Sequence, residues 1–325
     1  MNGKGSVVII PECIMNKITI ISLYKFVHIQ DLERFRKDLL AECKNSAIKG
    51  TFIIASEGIN GTIAGTSENI ESIIKFLKND KRFKDIECKY SFDEKVPFYR
   101  LKVKIKDELI PIGVEGVDPR EIVGTYVNPQ EWNKIVEDPE VLLIDVRNQY
   151  EIEVGSFKGA LNPETDNFRY FPEFVENNLD PGENRKVAMF CTGGIRCEKA
   201  SSYMLSKGFK EVFHLKGGVL KYLEDVSKDN SLWDGECFVF DNRTSVDHDL
   251  QNGIYDLCHN CRFPVSPEEM ESEYFVKGIS CPRCHESITP ERRTSLEERN
   301  KQIRLANERN QSHLGVNQRR KTKIR

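Results

Sequence analysis

Cys191 ends an apolar run, Val187 to Phe190, and Thr-Gly-Gly-Ile-Arg-Cys follows before a stretch of helical composition begins at Glu198. Such a run reads as a buried strand, and Cys191 to Arg196 is then the loop that turns the chain into a helix. Gly193 and Gly194 allow tight curvature, and successive backbone N–H groups in a turn opening a helix form an anion-binding nest. The same field, helped by Arg196, lowers the pKa of Cys191 and makes it a thiolate at neutral pH. A free Cys is commonly a small buried hydrophobe, but that reading leaves the Thr-Gly-Gly-Ile-Arg sequence unexplained. Cys191 and Arg196 are therefore the candidate catalytic residues. Cys197 stays open between two roles, resolving an oxidised Cys191 or packing in the core.

Four other cysteines are paired as Cys258-His259-Asn260-Cys261 and Cys281-Pro282-Arg283-Cys284, with 19 residues between the pairs. This spacing is that of four-thiolate zinc sites, and with every position taken by Cys the site is closed, hence structural. His259 is not expected to be a ligand. Of the ten cysteines, four are paired as C-x2-C and two flank the reactive loop, the pattern of an intracellular thiol and metal protein, so a cytoplasmic location is expected. Hydrophobic residues make up 39% and charged residues 30%, an ordinary globular composition. No run approaches the roughly 20 apolar residues that span a bilayer, and VVIIP near the N-terminus is too short for a signal-peptide core. Met15 is a candidate natural start, which leaves the preceding fourteen residues as a disordered extension, and residues 1–16 are set apart as an N-terminal extension.

Lys17 to Val27 is β-branched and apolar, and Asp31 can cap a helix with apolar residues at Leu32, Phe35, Leu39, Leu40 and Cys43, stopped by Gly50. Thr51 to Ala55 reads as a second strand, GINGTIAG as a tight turn into a third, Ser67 as the cap of a helix through Leu77, and Phe83 to Phe92 as a fourth strand. The order β-α-β-β-α-β is the ferredoxin-like split motif, an α+β domain over residues 17–110 with an added strand or connector at Tyr99 to Lys106. Its turn Glu57 to Gly61 reads as hairpin chemistry, with a phosphate or nucleotide contact as the sharper alternative. Residues 111–136, rich in Pro and Gly at first, read as linker and entry to the next domain. Over residues 137–230, Val141 to Val146, Val187 to Cys191 and Val212 to Leu215 alternate with helical stretches, the pattern of an α/β doubly wound parallel sheet. A Cys-rich zinc-binding region, 231–290, follows. From Glu291 to Arg325, eleven Lys or Arg face four Glu while the whole chain carries −3. This tail is either a solvated helix with a frayed end or a phosphate-binding arm.

Six residues from Cys191 to Arg196 resemble the active-site loop of rhodanese-type sulfurtransferases, whereas Cys-based phosphatases place one residue more between Cys and Arg. The smaller ring suits a sulfur-sized substituent on the thiolate. Asp145 to Pro163 (DVRNQYEIEVGSFKGALNP) resembles the N-terminal rhodanese signature, and Phe213 to Val219 (FHLKGGV) the C-terminal one. Ser156 departs from the His often found after that Gly. Taken together, ASEGINGTIAG in the front domain, GTYVNPQEWN (Gly124 to Asn133), CTGGIRCEKAS and the Cys-rich tail resemble the rhodanese-domain tRNA uridine hydroxylases over roughly Lys17 to Cys284.

That resemblance implies an oxidoreductase that converts the wobble uridine of tRNA to 5-hydroxyuridine, with molecular oxygen as co-substrate and Cys191 as the catalytic residue. It makes tRNA the expected partner. Asp145 and Arg147 are expected to brace the loop by ion pairing. Two alternatives are a persulfide-carrying sulfurtransferase acting on a small molecule or RNA, and a non-catalytic tRNA-binding protein. No flavin or nicotinamide fingerprint and no two-His, one-carboxylate iron site is evident in the sequence.

Overall fold

The apolar stretch after Lys17 forms strand β1 (Ile18–Phe26) of the computed structural model, which describes residues 17–183 and 186–309. The expected N-terminal extension and residues 310–325 of the basic tail lie outside those residues. The chain divides into two units, one ending at Leu109 and the other beginning at Ile110.

In the first unit β1 is followed by α1 (Leu32–Asn45), β2 (Lys49–Ala55), β3 (Gly58–Gly65), α2 (Ser67–Asn79), β4 (Cys88–Asp93) and β5 (Leu101–Ile105). The sheet order is β4-β1-β3-β2-β5, antiparallel except that β5 runs parallel to β2. The first four strands and two helices are the ferredoxin-like arrangement, and β5 is the added strand. Phe35 and Leu39 of α1 and Ile70 and Ile73 of α2 pack with Leu23, Phe52 and Ile63 of the sheet.

Several local expectations are corrected. GINGTIAG is not a turn but strand β3 itself, joined to β2 through Ser56 and Glu57. Its glycines serve close packing: a Cβ on Gly61 would lie 2.4 Å from the Phe52 ring, and one on Gly58 would lie 2.0 Å from the carbonyl oxygen of Lys25. The Glu57 carboxylate at that turn accepts from the Leu109 N–H at 2.5 Å, and an acid there repels the phosphate that the alternative reading required. The cap of α2 is Thr66, whose hydroxyl accepts from Asn69 N–H at 3.3 Å, while Ser67 instead meets Thr19 at 2.8 Å. Asp31 precedes α1 without capping it, because its carboxylate is held by Arg82 at 2.6 Å. Helix α1 ends at Asn45, and Gly50 lies inside β2, where a Cβ would meet the Thr62 carbonyl oxygen at 2.3 Å. The fourth strand starts at Cys88, five residues later than expected, because 81–83 form a helical turn.

In the second unit the elements are β6 (Thr125–Val127), α3 (Pro129–Val136), β7 (Val141–Asp145), α4 (Gln149–Ile152), β8 (Gly155–Phe157), α5 (Phe171–Asn178), β9 (Lys186–Phe190), α6 (Ile195–Ser206), β10 (Glu211–Leu215) and α7 (Gly218–Asp225). Strands β6-β10-β9-β7 form one parallel sheet in that order. Alternate residues of β9 serve its two faces, as the period of two requires. Val187 and Met189 pack with Phe171, Val175 and Tyr203 of α5 and α6. Ala188 and Phe190 pack with Trp132, Val219 and Tyr222 of α3 and α7. The sheet is therefore doubly wound. It begins earlier than residue 137, since β6 pairs with β10, and the expected linker already contributes Ile112 to the core around Met189.

Short pairs follow: β11 (Trp233–Gly235) with β8, β12 (Cys237–Phe238) with β13 (Ser245–Val246), and β14 (Asp256–Leu257) with β15 (Pro264–Val265). One-turn helix α8 (Pro267–Met270) and the long α9 (Pro290–Glu308) complete the chain. Among the described residues no helix is long and apolar enough to cross a membrane.

Candidate active site and metal centre

Strand β9 delivers Cys191 to the end of the parallel sheet, and α6 starts at Ile195, three residues before the sequence suggested. The loop proper is therefore Cys191 to Gly194, and Arg196 and Cys197 belong to the first helical turn. The cause is Gly194, which occupies the position before the helix at φ +96°, a left-handed conformation that favours glycine. The Gly194 N–H donates to Cys191 Sγ at 3.1 Å. The carbonyls of the loop are held from the other side, by Val219 N–H on Cys191 O at 2.9 Å and Leu220 N–H on Thr192 O at 3.1 Å. Gly218 makes this clamp possible: at φ +70°, a Cβ there would lie 2.4 Å from Cys191 O and 2.6 Å from Gly194 N. No heavy atom lies within 4 Å of the Cβ position of Gly193, so the crest of the loop faces open space.

Cys191 is completely buried, and burial by itself pushes a thiol pKa up. That effect is outweighed by a hydrogen bond from the Cys197 thiol, by the Arg196 charge and by the backbone N–H groups of Cys197 and Arg196, which bring Cys191 down to about 5. Burial and the hydrogen bond to this thiolate push Cys197 well up, so it is the neutral donor of the pair.

Arg196 does not point at the thiolate as a free cation. Its Nη1 and Nη2 donate to Glu151 Oε2 and Oε1 at 2.6 and 2.7 Å, and Thr192 Oγ1 donates to Glu151 Oε1 at 3.1 Å. Glu151 is fully buried, and although burial raises its pKa, Arg196 holds it below the usual carboxylate value. Sequence reasoning missed Glu151. Its signal was Asn148-Gln-Tyr-Glu151, the spacing of a capping box, and Glu151 Oε2 indeed accepts from Asn148 N–H at 3.2 Å.

Asp145 and Arg147 form a pair with no exposed side-chain surface, Nη2 to Oδ2 at 2.6 Å and Nε to Oδ1 at 2.9 Å. Arg147 also donates to the carbonyls of Gly155 and Glu151 at 2.5 and 3.3 Å, and Ser156 donates to Asp145 Oδ2 at 2.8 Å. The pair braces α4, the helix that carries Glu151, and so acts on the loop at one remove.

The sulfur atoms of Cys258, Cys261, Cys281 and Cys284 lie within 4.8 Å of one another. Cys258 to Cys284 is 3.7 Å, Cys261 to Cys281 is 3.6 Å and Cys281 to Cys284 is 3.8 Å. A tetrahedron with Zn–S bonds of about 2.3 Å has edges of about 3.8 Å, so the four residues fit a zinc ion, and the set leaves no ligand position for chemistry. His259 is not part of the group. The knuckle is tied to α4, the helix that carries Glu151. Arg283 donates to Glu153 Oε2 at 2.6 Å, just after α4, and lies 4.6 Å over the Phe263 ring. From Phe263 edge-on contacts run through Tyr150 at 5.4 Å and Phe238 at 5.2 Å to Phe240 at 5.3 Å.

Residues 18–109 match the family model of the UPF0176 acylphosphatase like domain, and residues 128–225 match the rhodanese-like domain. Similar solved structures include the rhodanese-like domain of an Anabaena sp protein, 18% identical over 34% of this chain and 78% of that one, with a TM-score of 0.28. A rhodanese-related protein from Thermoplasma volcanium is 19% identical over 31% of this chain and 92% of that one, TM-score 0.24. A Rhodopseudomonas palustris protein of unknown function, described as a possible tyrosine phosphatase, is 25% identical over 31% and 79% of the two chains, TM-score 0.27. The chain thus joins an acylphosphatase-like domain of the UPF0176 type to a rhodanese-like domain that carries a cysteine loop, followed by a four-cysteine cluster able to hold a metal ion.

Proposed function

We propose that the protein is a tRNA-modifying enzyme that hydroxylates C5 of the wobble uridine in an oxygen-dependent reaction, with Cys191 as its catalytic residue. The observation that carries the chemistry is the Cys191 thiolate, held near a pKa of about 5 by the loop amides, Cys197 and Arg196. A thiolate can add to an electrophilic ring carbon or carry an oxidised sulfur, and a neutral thiol does either poorly. The choice of substrate is supported by the resemblance of ASEGINGTIAG, GTYVNPQEWN and CTGGIRCEKAS to the tRNA uridine hydroxylases, and by the pairing of an acylphosphatase-like domain with a rhodanese-like one. Zinc at the four cysteines would have a structural part. The basic residues toward the C-terminus would add phosphate contacts that carry no sequence information.

The rhodanese-like domain itself favours a second reading, transfer of persulfide sulfur from Cys191 to an acceptor. Purified protein given unmodified tRNA under air and under nitrogen separates the two. Hydroxylation predicts 5-hydroxyuridine only with oxygen, whereas thiosulfate-dependent thiocyanate formation from cyanide without any change in the tRNA supports sulfur transfer.

A further inference from the structure

Phe240 sits on the connection between β12 and β13 with 60% of its surface exposed. Single exposed apolar residues are common and need no explanation, but this one is held unusually firmly. Val239 N–H donates to Thr244 O at 2.9 Å across the turn. Asp241 receives Arg243 through Nε at 2.9 Å and Nη2 at 2.6 Å, with their side chains only 1% and 5% exposed. The Phe240 ring packs edge-on against Phe238, with centroids 5.3 Å apart. The Arg196 guanidinium carbon lies 6.0 Å from the ring centroid. A rigid aromatic surface is thus presented to solvent beside the cation of the Cys191 loop, where core packing gives it no use.

We propose that Phe240 is the stacking surface for the unstacked pyrimidine base on which Cys191 acts. This deepens the proposed function and rests on it. Chemistry on a nucleobase requires that base to leave its neighbours, and a protein aromatic ring replaces the lost stacking. Arg196 is largely buried and held by Glu151 through both Nη1 and Nη2, so it is placed to fix the loop and the ring beside it rather than to read the base. Stacking on Phe240 gives affinity for the base face and holds the base beside Arg196, the residue in the first turn of α6 whose charge helps to hold the Cys191 thiolate. Because every base has a π-face, Phe240 contributes affinity and position while leaving base identity to other contacts.

The test uses full-length protein and an RNA stem-loop with uridine at the wobble position, beside the same stem-loop with an abasic site there. Phe240→Ala and Phe240→Leu are expected to weaken binding of the uridine stem-loop by about ten-fold or more, and Phe240→Tyr to retain it. Leu keeps apolar bulk without a π-face, so it separates stacking from simple burial and also serves if the Ala variant folds poorly. Against the abasic stem-loop all four proteins should bind alike. In Phe240→Trp, the added tryptophan fluorescence should be quenched by the uridine stem-loop and not by the abasic one. Equal affinity of the wild type and Phe240→Leu for the uridine stem-loop, or quenching that ignores the abasic change, overturns the proposal. Base-dependent quenching without any 5-hydroxyuridine leaves the stacking surface standing and refutes the hydroxylation reading instead.

Discussion

Replacing Arg196 with Met removes the charge and keeps an unbranched apolar side chain, which leaves the Glu151 carboxylate fully buried with only Thr192 Oγ1 and Asn148 N–H as donors among the described residues. Two charge-assisted bonds of 2.6 and 2.7 Å are lost. Breaking a buried pair by removing one partner costs about 3–5 kcal/mol, because the survivor is uncompensated. Against a total of about 5–15 kcal/mol for a typical domain that is a large fraction. The pair Arg283–Glu153 has the same 2.6 Å contact, but its side chains are 38% and 32% exposed, so solvent screening leaves Arg283→Met costing about 1 kcal/mol or less. Both tryptophans, Trp132 and Trp233, lie in one core of the second unit, so their fluorescence during urea unfolding reports on that unit. Glu151→Gln combined with Arg196→Met should recover much of the loss, giving a coupling of about 2 kcal/mol or more. Additive losses below about 1 kcal/mol each would mean that the pair is solvated rather than buried in its energetics.

The same Arg196→Met change should raise the Cys191 pKa from about 5 toward its ordinary value of 9.0, read as far-ultraviolet thiolate absorbance that disappears in Cys191→Ser. With its folded pKa depressed, Cys191 contributes stability in full above its unfolded pKa, and that contribution is lost as pH falls through about 5. Cys197→Ala should raise the Cys191 pKa as well, while Cys197→Ser keeps a donor and should not; loss of multiple turnovers in Cys197→Ser, where the thiolate is kept, would point to a resolving role. Gly218→Ala places a Cβ 2.4 Å from Cys191 O and should abolish activity with a loss of about 2 kcal/mol or more, whereas near-normal kinetics would mean the clamp on the loop is unimportant. Metal analysis should find about one zinc per chain, lost in Cys258→Ser with Cys281→Ser; reduced, freshly purified protein without metal would contradict the four-thiolate site. Removing residues 310–325 should weaken tRNA binding and flatten its salt dependence, and an unchanged slope would assign them to solvent.

Much of this was legible in the residues because local pattern and tertiary need coincide. The alternating and apolar runs match the strands, and the C-x2-C pairs match the four-cysteine cluster able to hold a metal ion, since two residues between cysteines bring both sulfurs of a pair to one turn. Glycine was where reading failed. GINGTIAG looks like a turn, yet its glycines make room for Phe52 and the Lys25 backbone, neighbours distant in sequence. Helix α6 begins at Ile195 without any capping side chain, because a left-handed Gly194 does the work and a Ser, Thr, Asp or Asn is not needed. Glu151 shows in the sequence only the spacing of a helix cap, and only the fold shows that α4 brings it to Arg196. Phe240 carries no motif at all; its meaning depends on the turn that holds it and on the guanidinium beside it.

If the Cys191 loop hydroxylates tRNA as proposed, nucleoside mass spectrometry of tRNA from cells lacking the protein should show 5-hydroxyuridine lost. Restoring the wild-type chain should restore 5-hydroxyuridine and the nucleosides built on it, and Cys191→Ser at equal abundance and metal content should restore none. A serine of similar size stays a neutral hydroxyl and cannot climb the cysteine oxidation ladder. If Cys191→Ser supports hydroxylation at the wild-type level, the loop is not the catalytic centre and the account is wrong.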